Sequence, residues 1–243
     1  MTALTPANQT TEPFYPSGDG EPVAETFDHL YALLITLEVL RQYLAGQRAT
    51  VLGNQFLYYA QGFPRLRLAP DIMVIFNVEP GGRDNYKIWE EGQVPSVIFE
   101  ITSESTREKD ETFKKTLYAQ LGVQEYWQFD PKGEWIPGQL RGHTLHEFIN
   151  SDGEPEFVYE SIEDGKSQVL QLQLVVEGRL IGFYRLDTGE KLLVPDELAE
   201  ALQQETQARQ QEAQARQQAE TRAAELEARL AQYREQFGEL PEG

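Results

Sequence analysis

The chain contains no cysteine. It therefore forms neither disulfides nor thiolate metal sites, and it suits a reducing, cytoplasmic setting. Histidine is scarce, three in 243 residues, which argues against a histidine-rich zinc site. Positive charge is short as well. Lys and Arg number 21 against 40 Asp and Glu, giving a net charge of −19, and this argues against a broad surface for coating nucleic acid. No apolar run reaches the length of a membrane span. Residues 1–13 show no basic cluster leading into an apolar segment, so neither a membrane partner nor a signal peptide is expected. What remains is enough chain to bury one good core, with length left over.

The stretch that organises the chain is Pro70 to Lys115. Two apolar runs within it, Ile72-Met73-Val74-Ile75-Phe76 and Val97-Ile98-Phe99-Glu100-Ile101-Thr102, have strand length and strand composition. Before them, Ala24–Ala45 reads as a helix. Phe27, Leu30, Leu34, Leu37, Val39, Leu40 and Leu44 form its broad apolar face, and Gly46 stops it. Three strands follow over Thr50–Ala60, Asp71–Val78 and Val97–Thr102, with a long polar loop from Glu79 to Gly92. Ser105-Thr106-Arg107-Glu108 fits a capping box. The helix it opens ends at Gly122, with Phe113, Leu117 and Leu121 as the expected buried stripe and Asp110, Lys114 and Tyr118 beside it. Glu125–Pro131 gives a fourth strand and its closing turn.

Trp135–Tyr184 adds strands, separated by turns at Pro137-Gly138, Asp152-Gly153 and Asp164-Gly165. From Pro195 the composition shifts to Ala, Gln, Glu, Arg and Leu. Ala208-Arg209-Gln210-Gln211 recurs seven residues on as Ala215-Arg216-Gln217-Gln218. A 4-3 seam runs from Leu198 to Phe237 with apolar ends and a middle that alternates acid and base. A strict zipper would not do that. The expected fold class is α/β: a helix, three strands, a helix and a strand, extended by further β structure and a long C-terminal helix. The expected boundaries are a disordered lead-in over 1–22, one domain over 23–194 and a helical, coiled-coil-like tail over 195–243. The tail is expected to self-associate at its ends, giving a homodimer, or to bind a protein partner.

An acid inside Val-Ile-Phe-Glu-Ile costs free energy to bury unless something pairs with it, so Glu100 requires a partner. Side chains alternate along a strand, which puts Ile98, Glu100 and Thr102 on one face. A nuclease strand commonly carries a lysine two residues after its carboxylate. Here Thr102 stands in that place. Lys114 can supply the charge if its helix folds back so that the Asp110-Lys114-Tyr118 stripe overhangs the strand ends. Asp71, Glu100 and the backbone carbonyl of Ile101 are the oxygen ligands that Mg²⁺ takes, with positions left for water and phosphate. Such an ion polarises a phosphoryl group and acidifies bound water. Each residue has a blander reading: Asp71 as a turn residue after Pro70, Lys114 as a solvated helix lysine, His29 and Glu38 as a polar flank. The set in this order is more specific than any member. From Gly62 to Gln120 eight basic residues stand against ten acids, a balance that permits transient contact with DNA.

These residues resemble the Uma2 family of the PD-(D/E)XK nuclease superfamily. The resemblance rests on Ala69-Pro70-Asp71, on Phe99-Glu100-Ile101-Thr102-Ser103, on Ser105-Thr106 followed by Asp110 and Lys114, and on Tyr118-Ala119-Gln120-Leu121-Gly122-Val123-Gln124-Glu125-Tyr126-Trp127 running into Phe129-Asp130-Pro131. It covers about Ala24 to Tyr184. It implies a restriction-endonuclease-like core and a magnesium-dependent endonuclease acting on DNA, with manganese as the alternative ion. Asp71 and Glu100 would be metal ligands and Lys114 the displaced catalytic lysine. His29 falls near a histidine common in the family's first helix and becomes an auxiliary candidate, with Thr102. Glu104 departs from the pattern, where proline commonly follows the serine. The rival reading is an inactive nuclease fold used as a binding or scaffold module through its tail.

Overall fold

In the computed structural model, which describes residues 13–18, 20, 25–103, 110–150 and 153–238, the chain divides into two units, Met1–Val194 and Pro195–Gly243. The first unit is built on a six-stranded sheet. Its members are β1 (Ala49–Gly53), β4 (Ile72–Phe76), β6 (Val97–Ile101), β7 (Glu125–Phe129), β8 (Leu140–Ile149) and β9 (Pro155–Ile162), in that spatial order. All neighbours are antiparallel except β6 and β7. A parallel pair cannot be joined by a hairpin and requires a crossover. The crossover contains a π-helical turn, Asp110–Lys114, that continues into α3 (Lys115–Leu121). Gly122 ends α3 in the left-handed conformation that glycine adopts without steric cost.

Strand alternation gives the sheet two apolar faces. Phe99, Ile101, Trp127 and Phe129 pack on α1 (Phe27–Tyr43) and on a second sheet of β10 (Lys166–Ser167), β11 (Leu172–Glu177), β12 (Leu180–Arg185) and β13 (Lys191–Leu192). Met73, Ile75, Ile98 and Tyr126 pack on Tyr118 and Ala119 of α3. Trp127 lies against Gly142, its cross-strand neighbour, where even a Cβ would come within 2.4 Å of the indole. Glu125 is buried among partners, accepting from Trp127 Nε1 at 3.0 Å, Ser167 Oγ at 2.5 Å and the Val169 amide at 3.0 Å.

Several expectations change. The strand expected over Thr50–Ala60 is two, β1 and β2 (Leu57–Tyr58), because Asn54 turns the chain with φ 52°. Strand β2 joins a separate three-stranded sheet with β3 (Arg67–Leu68) and β5 (Tyr86–Lys87). The loop expected over Glu79–Gly92 thus holds β5 and the single turn α2 (Ile88–Glu91). Helix α1 buries His29, Ala32, Leu33, Thr36 and Leu40, while Phe27, Leu30 and Leu34 are exposed. Small Ala32 and Thr36 let the helix approach the sheet, and that shifts the buried face around the axis. The stripe expected on the second helix is also displaced. Phe113 is 57% exposed, and the buried positions are Tyr118 and Ala119. The lead-in expected to be disordered is packed at Tyr15 and Pro16: Tyr58 Oη donates to the Pro16 carbonyl at 2.5 Å, and Tyr15 meets Tyr58 edge-on at 5.1 Å. The capping box at Ser105-Thr106-Arg107-Glu108, Glu104 and the side chain of Asp110 lie outside the described residues.

Among its described residues, the second unit is one helix, α4 (Pro195–Phe237), 43 residues long.

Candidate active site

The site lies at the ends of β4 and β6. Register sets Ile72 opposite Phe99. One step further along these antiparallel strands, Asp71 stands level with Glu100. The Asp71 carboxylate is pinned by the backbone, since the Ile101 amide donates to Oδ2 at 2.6 Å. The contact that Ile101 makes here is thus through its N–H.

Glu100 has only 1% of its surface exposed and is held at both oxygens. Lys114 Nζ lies 2.8 Å from Oε2, and Tyr118 Oη donates to Oε1 at 2.7 Å. Both partners come from the crossover, four residues apart on one face of the helical segment. The π-helical turn ends at Lys114, so the lysine is aimed inward where Phe113 is aimed out. Lys115, one residue on, takes another direction. Burial first, then the charge of Arg141, lowers its pKa below the usual lysine value.

The other oxygen of Asp71 faces α1. His29 Nε2 lies 3.7 Å from Asp71 Oδ1 and 3.3 Å from Glu25 Oε2. Glu25 precedes the N-cap Thr26, whose hydroxyl accepts from the His29 amide at 3.4 Å. The cap therefore sets the direction of the first turn, and four-residue spacing stacks Glu25 over His29. Burial disfavours the charged imidazole, but Asp71, with Glu25 and Glu100, outweighs it and raises the His29 pKa above its ordinary value. His29 is buried, and neither ring nitrogen makes a well-aligned hydrogen bond. Thr102 Oγ1 is likewise buried without one, and Thr102 and His29 line one cleft with Ser103, Asp130 and Trp135. Asp130 itself is spent on the turn, accepting from the amides of Lys132, Gly133, Trp135 and Ile136.

Among the described residues, one group has metal-ligand geometry. Glu25, His29 and Asp71 each offer a ligand atom, all within 4.8 Å of one another. Two carboxylates and an imidazole fit a divalent cation, and the nitrogen donor suits Mn²⁺ better than Mg²⁺. The site residues thus fall into two groups that share Asp71 and Glu100 as neighbours: an acid–histidine cluster, and a carboxylate held by lysine and tyrosine. Sequence reasoning left out Glu25 and the bond from Tyr118. The signal for Glu25 was its four-residue spacing from His29 across a helix start. Tyr118 stood on the Lys114 stripe.

A central parallel strand pair crossed by a helix, with an aspartate and a glutamate on adjacent strand ends and a lysine overhanging them, defines a restriction-endonuclease-like nuclease fold. The profile of the Uma2 family, described as "Putative restriction endonuclease", matches residues 8–163, more than half of the chain. The chain belongs to the Uma2 family. It is also similar to a solved structure, that of a "putative nuclease belonging to DUF820" from Anabaena variabilis, with 16% identity, 63% of this chain and 79% of that chain covered, and a TM-score of 0.41. No curated protein matches. No described helix is long and apolar enough to cross a membrane.

Proposed function

We propose that the chain is a divalent-metal-dependent endonuclease that hydrolyses DNA phosphodiester bonds. The observation that carries this reading is the gathering of Asp71, Glu100 and Lys114 at one pair of strand ends, with Lys114 Nζ 2.8 Å from Glu100. Asp71, Glu25 and His29 would hold the cation, with Glu100 beside them, and Mg²⁺ or Mn²⁺ is the class of ion. Bound there, it supplies Lewis-acid polarisation of the phosphoryl group and a more acidic water.

The protein's own groups have separable tasks. The Ile101 amide fixes Asp71 so that its free oxygen faces His29. To serve as a ligand His29 would have to be neutral, and the acids around it, which raise its pKa, hold its proton until a cation would compete for the same nitrogen. Tyr118 holds one oxygen of Glu100 and thereby orients the other toward Lys114. Lys114, ion-paired with Glu100, offsets phosphate charge and orients the attacking water. Thr102 lines the cleft through which the backbone of a substrate would approach. The acidic surface is compatible with this reading because the cation and Lys114 supply positive charge where phosphate binds.

The test is a cleavage assay over duplex DNA, single-stranded DNA and RNA, with Mg²⁺ and Mn²⁺ in turn and Glu100→Gln as control. Metal-dependent DNA cleavage lost in Glu100→Gln supports the proposal. Metal binding without turnover of any nucleic acid would instead establish the inactive binding-module reading.

A further inference from the structure

Helix α4 exposes every described residue from Leu198 to Gln236. Its 4-3 seam carries Leu198 and Leu202 at one end, Leu226 and Leu230 at the other, and Glu205, Arg209, Glu212 and Arg216 between them. Leu202 is 63% and Leu226 59% exposed. Leucines at seam spacing gain free energy only when another helix covers them. The charges on the same seam decide what that helix is and which way it runs.

We propose that α4 pairs with α4 of a second copy of the chain, antiparallel, about a two-fold axis at Gln214. In a parallel pair, each seam residue meets its own counterpart. Glu205, Arg209, Glu212 and Arg216 would then form four layers of like charge, each destabilising. In the antiparallel pair centred on Gln214, Leu198 faces the partner's Leu230 and Leu202 faces the partner's Leu226. Glu212 faces the partner's Arg216, an opposite-charge layer that occurs twice by symmetry. Glu205 and Arg209 face the partner's Ala223 and the partner's Ala219, and these small side chains leave room for the charged heads to reach water.

Register is set by the same pairing. Moving one heptad toward the C-terminus sets Glu205 against the partner's Leu230 and Arg209 against the partner's Leu226. Moving one heptad the other way carries Leu226 and Leu230 past the partner's first seam residue. Ala213 and Ala215 flank the axis and meet their own counterparts, so the helices can approach closely at the centre.

The absence of cysteine makes the test direct, since each introduced thiol reports alone. In the full chain, Ala215→Cys is expected to form an intermolecular disulfide on mild oxidation. Leu202→Cys alone is expected not to, whereas Leu202→Cys mixed with Leu226→Cys is. Sedimentation equilibrium should show a dimer that Glu212→Arg weakens about tenfold or more, by placing it against Arg216 of the partner subunit. Adding Arg216→Glu should restore the dimer, because the layer is then reversed but still opposite in charge. A parallel pair predicts the contrary: self-crosslinking of Leu202→Cys and no effect of Glu212→Arg beyond that of a like-charge layer already present. Either result, or a monomer at every concentration, overturns the proposal.

Discussion

Lys114 Nζ sits 2.8 Å from Glu100 Oε2, although the two residues belong to different elements and are 14 positions apart. This contact answers the cost of burying an acid in the middle of an apolar strand. It also brings a cation to a strand end where the strand's own sequence has threonine. An exposed ion pair contributes little, but this carboxylate is almost fully buried, so removing the lysine leaves an uncompensated charge.

Lys114→Ala is expected to lower DNA cleavage by about 10²-fold or more, the scale of losing a positioned electrostatic or proton-transfer group. Lys115→Ala should cost much less, because Lys115 does not point at Glu100. Steady-state rates for both variants, with far-ultraviolet circular dichroism to establish folding, check this. The reverse order of effects would show that the displaced lysine is misassigned.

Glu25→Ala should weaken Mn²⁺ binding about tenfold or more, since it removes one of three convergent ligand atoms. Lys114→Ala should leave that affinity nearly unchanged. Calorimetric titration of both variants decides it. Equal affinity in Glu25→Ala and the parent chain would remove Glu25 from the site.

His143 sets an acid limit on stability. It is buried against Tyr126 with neither ring nitrogen hydrogen-bonded. Burial, reinforced by Lys115 and Arg141, pushes its pKa down to about 4. The unfolded imidazole takes up a proton near its ordinary value of about 6.5, while the folded one resists until about pH 4. The unfolded state therefore binds more protons in that window, and stability falls as pH drops through it. His143→Phe, which keeps the ring among Tyr126 and Tyr159, should flatten this dependence. Urea midpoints at pH 7 and pH 5 for both proteins measure it, and an equal fall in both would point to other groups.

Gly142→Ala should destabilise the domain by about 1–3 kcal/mol, because the new Cβ would lie 2.4 Å from the Trp127 ring and that ring is locked by its bond to Glu125. Thermal unfolding reports it, and an unchanged midpoint would mean the indole can move aside at no cost.

Removal of residues 195–243 should leave the midpoint of the remaining domain within about 2 °C, the shift that roughly 0.5–1 kcal/mol produces at this size. A large drop in the truncated chain would show that the tail contributes to the stability of the first unit.

The sequence by itself determined the elements whose signals are local. Val, Ile and Phe runs gave β4 and β6, and an aromatic run before Pro131 gave β7, close to their observed limits, and the change in composition at Pro195 marked the start of the long helix. Glu100 declared its need for a partner simply by being an acid within an apolar strand. Asp71 and Lys114 were legible as candidates from residue type and spacing, and the structure brings both beside Glu100. Tertiary structure decided what no local pattern encodes. The buried face of α1 depends on how closely Ala32 and Thr36 approach the sheet, not on where its largest apolar residues fall. The inward direction of Lys114 and Tyr118 depends on a π-helical turn that adds a residue to the helical repeat. Glu25 joins His29 and Asp71 because a helix start is carried to the end of a strand more than 40 residues away in the chain. Periodicity is a property of neighbours along the backbone, whereas a site is a property of neighbours in space, and packing alone sets those.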